Sequence, residues 1–128
     1  MMFIPLQLEG FDVPDAVARM LDRPELWWQS VGLFLGHFAD WNVRWAESLG
    51  DRSAERRCVH AIRSAATNIG AIVLAERAAR LECGLNDEAA DPGGLKELRG
   101  ELAEAFARTW QVCSEAWQQS GGEFGAVA

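Results

Sequence analysis

The chain of 128 residues contains two histidines, and one of them has neighbours suited to chemistry. His60 lies between Arg57 and Arg63, and Ser64 follows it by one helical turn. Neutral imidazole has a nucleophilic ring nitrogen, and nearby cations can stabilise an anionic group that it accepts. A small residue beside the ring lets a partner's active site approach. These residue types at this spacing favour transfer of a phosphoryl group.

His60 is predicted to lie on the outer side of a helix. At about 100° per residue, it projects roughly 170° from the centre of that helix's apolar set, so it should face solvent. The apolar set is Cys58, Val59, Ile62, Ala65, Ala66 and Ile69. The outward half carries Arg56, Arg57, Arg63, Ser64 and Thr67. A core role for His60 is excluded on this geometry, and an ordinary surface histidine is the remaining alternative.

Other reactive patterns are missing from the sequence. It has no phosphate-binding G-x-x-x-x-G-K loop, no G-x-S-x-G nucleophile turn and no H-E-x-x-H zinc helix. Neither His37 nor His60 follows a Glu by three residues, as a di-iron bundle site requires. We therefore expect no metal and no cofactor in this chain. His37 flanks an aromatic seam and is predicted to have a structural role at its boundary.

Composition and charge limit the classes of protein. A formal net charge of −7 argues against general nucleic-acid binding, and no apolar run approaches the roughly 18 residues of a membrane span. We expect a cytoplasmic monomer with one domain over residues 1–128, a core over about 10–118 and frayed ends. Three cysteines without C-x-x-C spacing are predicted to be buried hydrophobes in a reducing compartment. They are Cys58, Cys83 and Cys113.

The helical spacing of apolar residues predicts an all-α fold, an antiparallel four-helix bundle with a short additional N-terminal helix. A short helix should follow Asp12, and a long one should run from Pro24 to Leu49. Ser53 can cap the His60 helix, and a tight junction is expected at residues 67–70. Two further helices should cover residues 73–85 and about 91–120. Trp28 lies off the aromatic seam, either packed beneath the first helix or part of a docking surface.

The stretch from His60 resembles the signature of histidine-phosphotransfer (HPt) domains. It reads H-A-I-R-S-A-A-T-N-I-G-A and continues to Leu74, Ala78, Leu81 and Glu82. The family signature is approximately H-x-L-K-G-x-x-x-x-[IL]-G-A-x-x-L-x-x-x-[AC]-x-x-L-E. The resemblance covers about residues 10 to 118. Arg63 stands where the family usually has Lys, which keeps the charge but changes donor geometry. Ser64 replaces the usual Gly and is still small.

The resemblance implies a phosphoryl carrier rather than an enzyme. His60 would be the phospho-acceptor, Arg63 would stabilise the phosphoryl group and Ser64 would be the small docking residue. Arg56, Arg57 and Thr67 would contribute to binding. The implied partners are receiver domains of hybrid sensor kinases and response regulators, with Mg²⁺ in the receiver, and neither nucleic acid nor membrane.

Three alternatives to this carrier share part of the sequence pattern. One is a pseudo-HPt adaptor that binds a receiver or regulator without phosphotransfer. Another is the terminal HPt module of a hybrid sensor kinase, which the sequence leaves open. The dimerisation helices of a sensor kinase are disfavoured, because the H-[ED]-x-[RK]-x-P box is missing.

Overall fold

The computed structural model describes residues 3–121, which form six α-helices and no strand. The helices are α1 (Val13–Arg19), α2 (Pro24–His37), α3 (Trp41–Ser48), α4 (Arg52–Ile69), α5 (Ile72–Leu85) and α6 (Pro92–Gln119). The prediction of an all-α fold is confirmed. Of the two ends expected to be frayed, residues 1–2 and 122–128 lie outside the described range.

The predicted continuous helix from Pro24 to Leu49 is wrong, because it is divided into α2 and α3. The α2 helix ends at His37, Phe38 N–H bonds the Phe34 carbonyl at 3.0 Å, and α3 begins after Asp40. The apolar residues keep their helical spacing across the break, so the sequence pattern does not indicate it. The turn changes the direction of the chain so that Trp41 contacts α4. Its indole Nε1–H donates to the Cys58 carbonyl at 2.9 Å. The aromatic seam thereby packs against α4 in its second half.

The N-terminus of α4 is capped by Asp51 and not by Ser53. Asp51 Oδ1 accepts the Ala54 N–H at 3.1 Å, which satisfies one of the free donors of the first helical turn. Ser53 lies within the helix, where its hydroxyl accepts a hydrogen bond from Arg57 at 3.0 Å. The His60 helix therefore begins one residue before the predicted cap.

The junction predicted at residues 67–70 is confirmed. Ile69 is the last residue of α4, and Gly70 has φ +78°, the left-handed conformation that glycine adopts without steric cost. The Gly70 carbonyl accepts the Asp12 N–H at 2.9 Å, and a Cβ at Gly70 would lie 2.7 Å from the Ala16 Cβ. The junction is thus also the place where α1 is held against the bundle.

Helix α4 packs against α3 and α5, and α6 packs against α5 and α2. Trp27, Trp28 and Trp117 are fully buried in the core between them. The Trp28 ring lies 5.0 Å from that of Trp117 and 5.3 Å from that of Trp27. Gly32 makes room for the cluster, since a Cβ there would clash with the Trp117 ring. Trp28 is therefore a core residue and cannot form part of a docking surface.

A buried ion pair joins three helices. Glu55, 1% exposed, accepts two hydrogen bonds of 2.9 Å from the Arg99 guanidinium of α6. The Trp45 indole of α3 donates to the same carboxylate at 3.0 Å. The pKa of Arg99 is raised, first by its hydrogen bonds to Glu55. These bonds fix the N-terminal half of α4 relative to α3 and α6. They therefore help to hold in place the helix that carries His60.

The prediction that all three cysteines are buried is wrong for one of them. Cys113 is buried and Cys58 is half-buried, but Cys83 is exposed on α5. Period-3.6 spacing places residues 74, 78, 81 and 85 of α5 in the core, and Cys83 lies off that face.

Among residues 3–121, no helix combines the length and apolarity that crossing a membrane requires.

Candidate functional site

His60 stands on a rigid part of α4. Val59 and Ile62, on either side of it, are fully buried, so the backbone at His60 is anchored in the core. The His60 side chain itself is 57% exposed. The outward projection predicted from the helical wheel is confirmed, and the imidazole is accessible to a partner.

The imidazole is oriented by a carboxylate on the neighbouring helix. Glu82 Oε2 lies 2.8 Å from His60 Nδ1, and the Glu82 side chain is only 18% exposed. Leu81 and Leu85 are buried on α5, so Glu82 is placed at the edge of the α4–α5 interface, facing the His60 helix. This contact spans 22 positions of sequence.

Arg63 takes part in the same cluster. Its Nε lies 2.6 Å from Glu82 Oε1, and its Nη2 lies 3.3 Å from His60 Nδ1. An ionised carboxylate only accepts hydrogen bonds, and a guanidinium only donates them. At 2.8 Å from Glu82, Nδ1 must therefore carry the proton, and Arg63 cannot also donate to it. Nδ1–H therefore donates to Glu82, Arg63 is ion-paired with the same carboxylate, and the lone pair of the neutral ring is at Nε2.

An open cleft of about 480 Å³ lies beside the imidazole. It is lined by Ser53, Arg56, Arg57, His60, Ala61, Glu82 and Asn86. Arg56 donates to Asn86 Oδ1 at 3.1 Å, and Arg57 donates to Ser53 Oγ at 3.0 Å. Both arginines are thus bound to uncharged partners. The cleft combines a nucleophilic nitrogen with available positive charge, which suits an anionic group.

The remaining predicted residues are placed outside this cleft. Ser64 is exposed one turn after His60, where a small side chain leaves the ring accessible. Thr67 is exposed a further turn along, and its carbonyl accepts a 3.0 Å hydrogen bond from Arg19 of α1. Thr67 is therefore separated from the imidazole, although it shares its face of α4.

His37 is not part of the His60 cluster. It is the exposed last residue of α2, and its carbonyl accepts a 3.5 Å hydrogen bond from Arg44. It lines a second groove of about 400 Å³ together with Phe38, Trp41, Arg44, Arg57, Cys58 and Ala61. The two grooves share Arg57 and Ala61, so the exposed face of α4 has a recess on each side.

Glu82 is the site residue that the sequence prediction missed. In the sequence it is only the final position of the family-like pattern, which indicates no role for it. Its signal in the sequence is weak, because a lone Glu beside the buried seam of an amphipathic helix is usually a solvated charge. The contact with His60 depends on how α4 and α5 pack, which periodicity within one helix does not determine.

Comparisons with models of protein families, with curated proteins and with solved structures gave no match for this chain. Within residues 3–121, no three His, Cys, Asp or Glu side chains are grouped as metal ligands would be. The geometry around His60 is therefore the basis for the functional argument.

Proposed function

We propose that this chain is a histidine-phosphotransfer carrier of a two-component phosphorelay. His60 would accept a phosphoryl group from the aspartate of one receiver domain and pass it to another receiver. The observation that carries the proposal is the 2.8 Å contact between Glu82 and His60 Nδ1 on a ring that is 57% exposed. It leaves Nε2 as the nucleophile. The proposed arrangement is an antiparallel four-helix bundle in which α2 and α3 together count as one broken helix.

The proposed step balances in atoms and charge. The lone pair of His60 Nε2 forms an N–P bond while the P–O bond to the receiver aspartate breaks, and the electron pair leaves with the carboxylate. The ring acquires positive charge because Nδ1 keeps its proton. Glu82, already bonded to that proton, stabilises the charge in the same way that a buried carboxylate stabilises imidazolium in a catalytic triad. Transfer to the next receiver reverses these changes.

Arg63 supports the step in this proposal through its ion pair with Glu82. The pair, with a 2.6 Å contact, holds the carboxylate against the imidazole. Arg56 and Arg57 add positive charge on the exposed face, which steers an acidic receiver site within a Debye length of about 8 Å. The receiver brings Mg²⁺ and most of the catalytic groups, so this chain acts as a cytoplasmic, monomeric carrier and not as an enzyme by itself.

The second candidate function is a pseudo-HPt adaptor that binds a receiver without transfer. Such an adaptor needs the docking face but gains nothing from a fixed imidazole tautomer. The Glu82–His60–Arg63 cluster therefore favours the carrier. The same cluster would serve equally well if these residues were the terminal module of a hybrid sensor kinase.

The test is transfer from a panel of phosphorylated receivers to purified protein. We expect an acid-labile, alkali-stable label on His60 alone. His60→Gln should abolish labelling and keep the fold, since most exposed substitutions change stability by no more than about 0.5 kcal/mol. His37→Gln is the matched control and should label normally. Normal labelling of the His60→Gln variant would contradict the carrier proposal. If the unmodified chain binds receivers but is not labelled by them, the adaptor is favoured.

A further inference from the structure

The arginines of this protein differ in whether they form an ion pair with a carboxylate. Eight of the eleven form ion pairs with carboxylates. Within residues 3–121, the three that have no carboxylate partner are Arg52, Arg56 and Arg57, all in the first two turns of α4. They bond only to uncharged groups, and Arg52 donates at 3.2 Å to the carbonyls of Leu85 and Asp87. The arginines that lack a carboxylate partner are therefore concentrated at the N-terminal end of α4.

These positive charges are close together along the helix. Arg52 and Arg56 are four residues apart, a spacing at which like charges destabilise a helix. Arg52 also lies in the first turn, where the partial positive charge of the helix end is unfavourable for a cation. Of these arginines, Arg56 and Arg57 line the cleft beside His60, and Arg52 reaches the loop that closes its end. An anion in the cleft would offset the clustered charge of these arginines.

The direction of the side chains places His60 over these arginines. Helical side chains lean toward the N-terminus and cover the preceding turn. The His60 ring therefore lies over the turn that carries Arg56 and Arg57, while Arg63 approaches the ring from the following turn. Arg63 is engaged by Glu82 at 2.6 Å on the Nδ1 side. The cations left to contact a group bound to Nε2 are therefore Arg56 and Arg57 of the preceding turn.

We propose that Arg56 and Arg57 hold the phosphoryl oxygens of phosphorylated His60, while Arg63 positions the ring through Glu82. This inference rests on the proposed role of His60 as the acceptor. It reverses the sequence-based expectation that Arg63 stabilises the phosphoryl group. To reach the phosphoryl oxygens, each guanidinium gives up a hydrogen bond to a neutral side chain, Asn86 or Ser53, and gains hydrogen bonds to an anion, in which both donor and acceptor are charged.

The charged groups around the phosphoryl group come from several elements. Helix α4 supplies Arg56, Arg57 and Arg63, and α5 supplies Glu82, already paired. His37 and Arg44 line the neighbouring groove, and Arg44 is paired with Asp40 at 3.3 Å. Removing the charges of Arg56 and Arg57 should therefore alter the ionisation of the phosphoryl group more than removing any other pair of cations.

The test measures that ionisation directly and requires no receiver. In a His37→Gln background, phosphoramidate phosphorylates the remaining imidazole: Nε2 forms an N–P bond, and ammonia leaves with the electrons of the broken P–N bond. The ³¹P resonance of the product is then titrated with pH. Cations favour the dianion, so the midpoint should be low in this protein. It should rise by about 1 pH unit in Arg56→Gln/Arg57→Gln, as for groups that lose an adjacent opposite charge.

Matched variants separate this role from steering and folding. Arg80→Gln/Arg108→Gln also removes two charges, but from arginines that do not line the cleft and are paired with Glu101 and Glu9, and should leave the midpoint unchanged. Arg56→Lys/Arg57→Lys should stay close to the parent, and the single Arg57→Gln variant replaces the double one if the latter misfolds. Equal midpoints in the parent and the Gln variants would overturn the inference, even if receivers label His60. Slower phosphoramidate labelling of His60 than of His37, measured in a His60→Gln control, would also contradict it.

Discussion

Glu82 Oε2 lies 2.8 Å from His60 Nδ1, across the interface of α4 and α5. Because one partner is a mostly buried carboxylate and the other an exposed imidazole, the contact fixes the tautomer without covering the reactive nitrogen. The Arg63 ion pair fixes Glu82 in turn. Three residues on two helices thus define one orientation of one ring.

Replacing Glu82 by Gln should slow phosphotransfer by about 10–100-fold, since a hydrogen bond to a charged group contributes about 1.5–3 kcal/mol. The neutral amide cannot stabilise positive charge on the ring, and it can also donate to Nδ1 and so favour the wrong tautomer. Stopped-flow transfer rates and ¹⁵N shifts of His60 measure the two effects. Glu76→Gln, an exposed carboxylate paired with Arg77 on the same helix, is the control and should transfer normally. An unchanged rate and tautomer in Glu82→Gln would remove its role.

Replacing Arg63 by Glu should slow transfer strongly, because a second carboxylate beside Glu82 repels it and breaks the 2.6 Å ion pair. Lys at this position should retain most of the rate, since the charge is kept. Transfer kinetics from one phosphorylated receiver measure both variants. If the Glu variant and the unmodified protein transfer equally fast, Arg63 has no positioning role.

Replacing Ser64 by Leu or Phe should block docking of a receiver by its size, one turn from the imidazole. Helicity should be unaffected, because the residue is exposed. Receiver affinity by calorimetry and circular dichroism test the two statements. Gln118→Leu, an exposed position at the end of α6, is the control and should bind normally. Undiminished affinity in Ser64→Phe would show that the partner approaches from another side.

The cysteines should react with iodoacetamide in the order of their exposure. Burial raises the pKa of the Cys113 thiol to about 12. Since the thiolate is the nucleophile, Cys113 should be almost unreactive at pH 8. Cys83, exposed on α5, should be modified quickly in the native protein, and Cys113 only after unfolding. Mass spectrometry of peptides from a native time course measures this order, and rapid native labelling of Cys113 would contradict it.

Gly70→Ala should destabilise the protein by about 2 kcal/mol or more. The left-handed conformation destabilises an alanine by about 1–2 kcal/mol. In addition, the new Cβ would lie 2.7 Å from that of Ala16. Gly100→Ala is the matched control, because Gly100 is exposed within α6 with no atom near its Cβ position. It should stabilise by about 0.8–1 kcal/mol. Urea unfolding gives both values, and similar stabilities for the two variants would argue against a fixed role for Gly70.

Local features of this fold were predictable because local sequence produces them. Spacing of apolar residues indicated the helices, Asp12 and Pro14 indicated the start of α1, and Gly70 indicated the end of α4. The outward position of His60 followed from its angle to Val59, Ile62 and Ala66, which must be buried for α4 to pack at all. The wheel likewise located Arg56, Arg57 and Ser64 on the exposed side.

Relations between helices depend on packing and were decided only by the tertiary structure. The break after His37 keeps the apolar period, so only the hydrogen bonds of Phe38 and Trp41 disclose it. Glu82 reaches His60 because Leu81 and Leu85 set the rotation of α5 against α4. The same contact engages Arg63 and leaves Arg56 and Arg57 without carboxylates. A sequence lists which charges are present, but the pairing of those charges is determined by which helix faces meet.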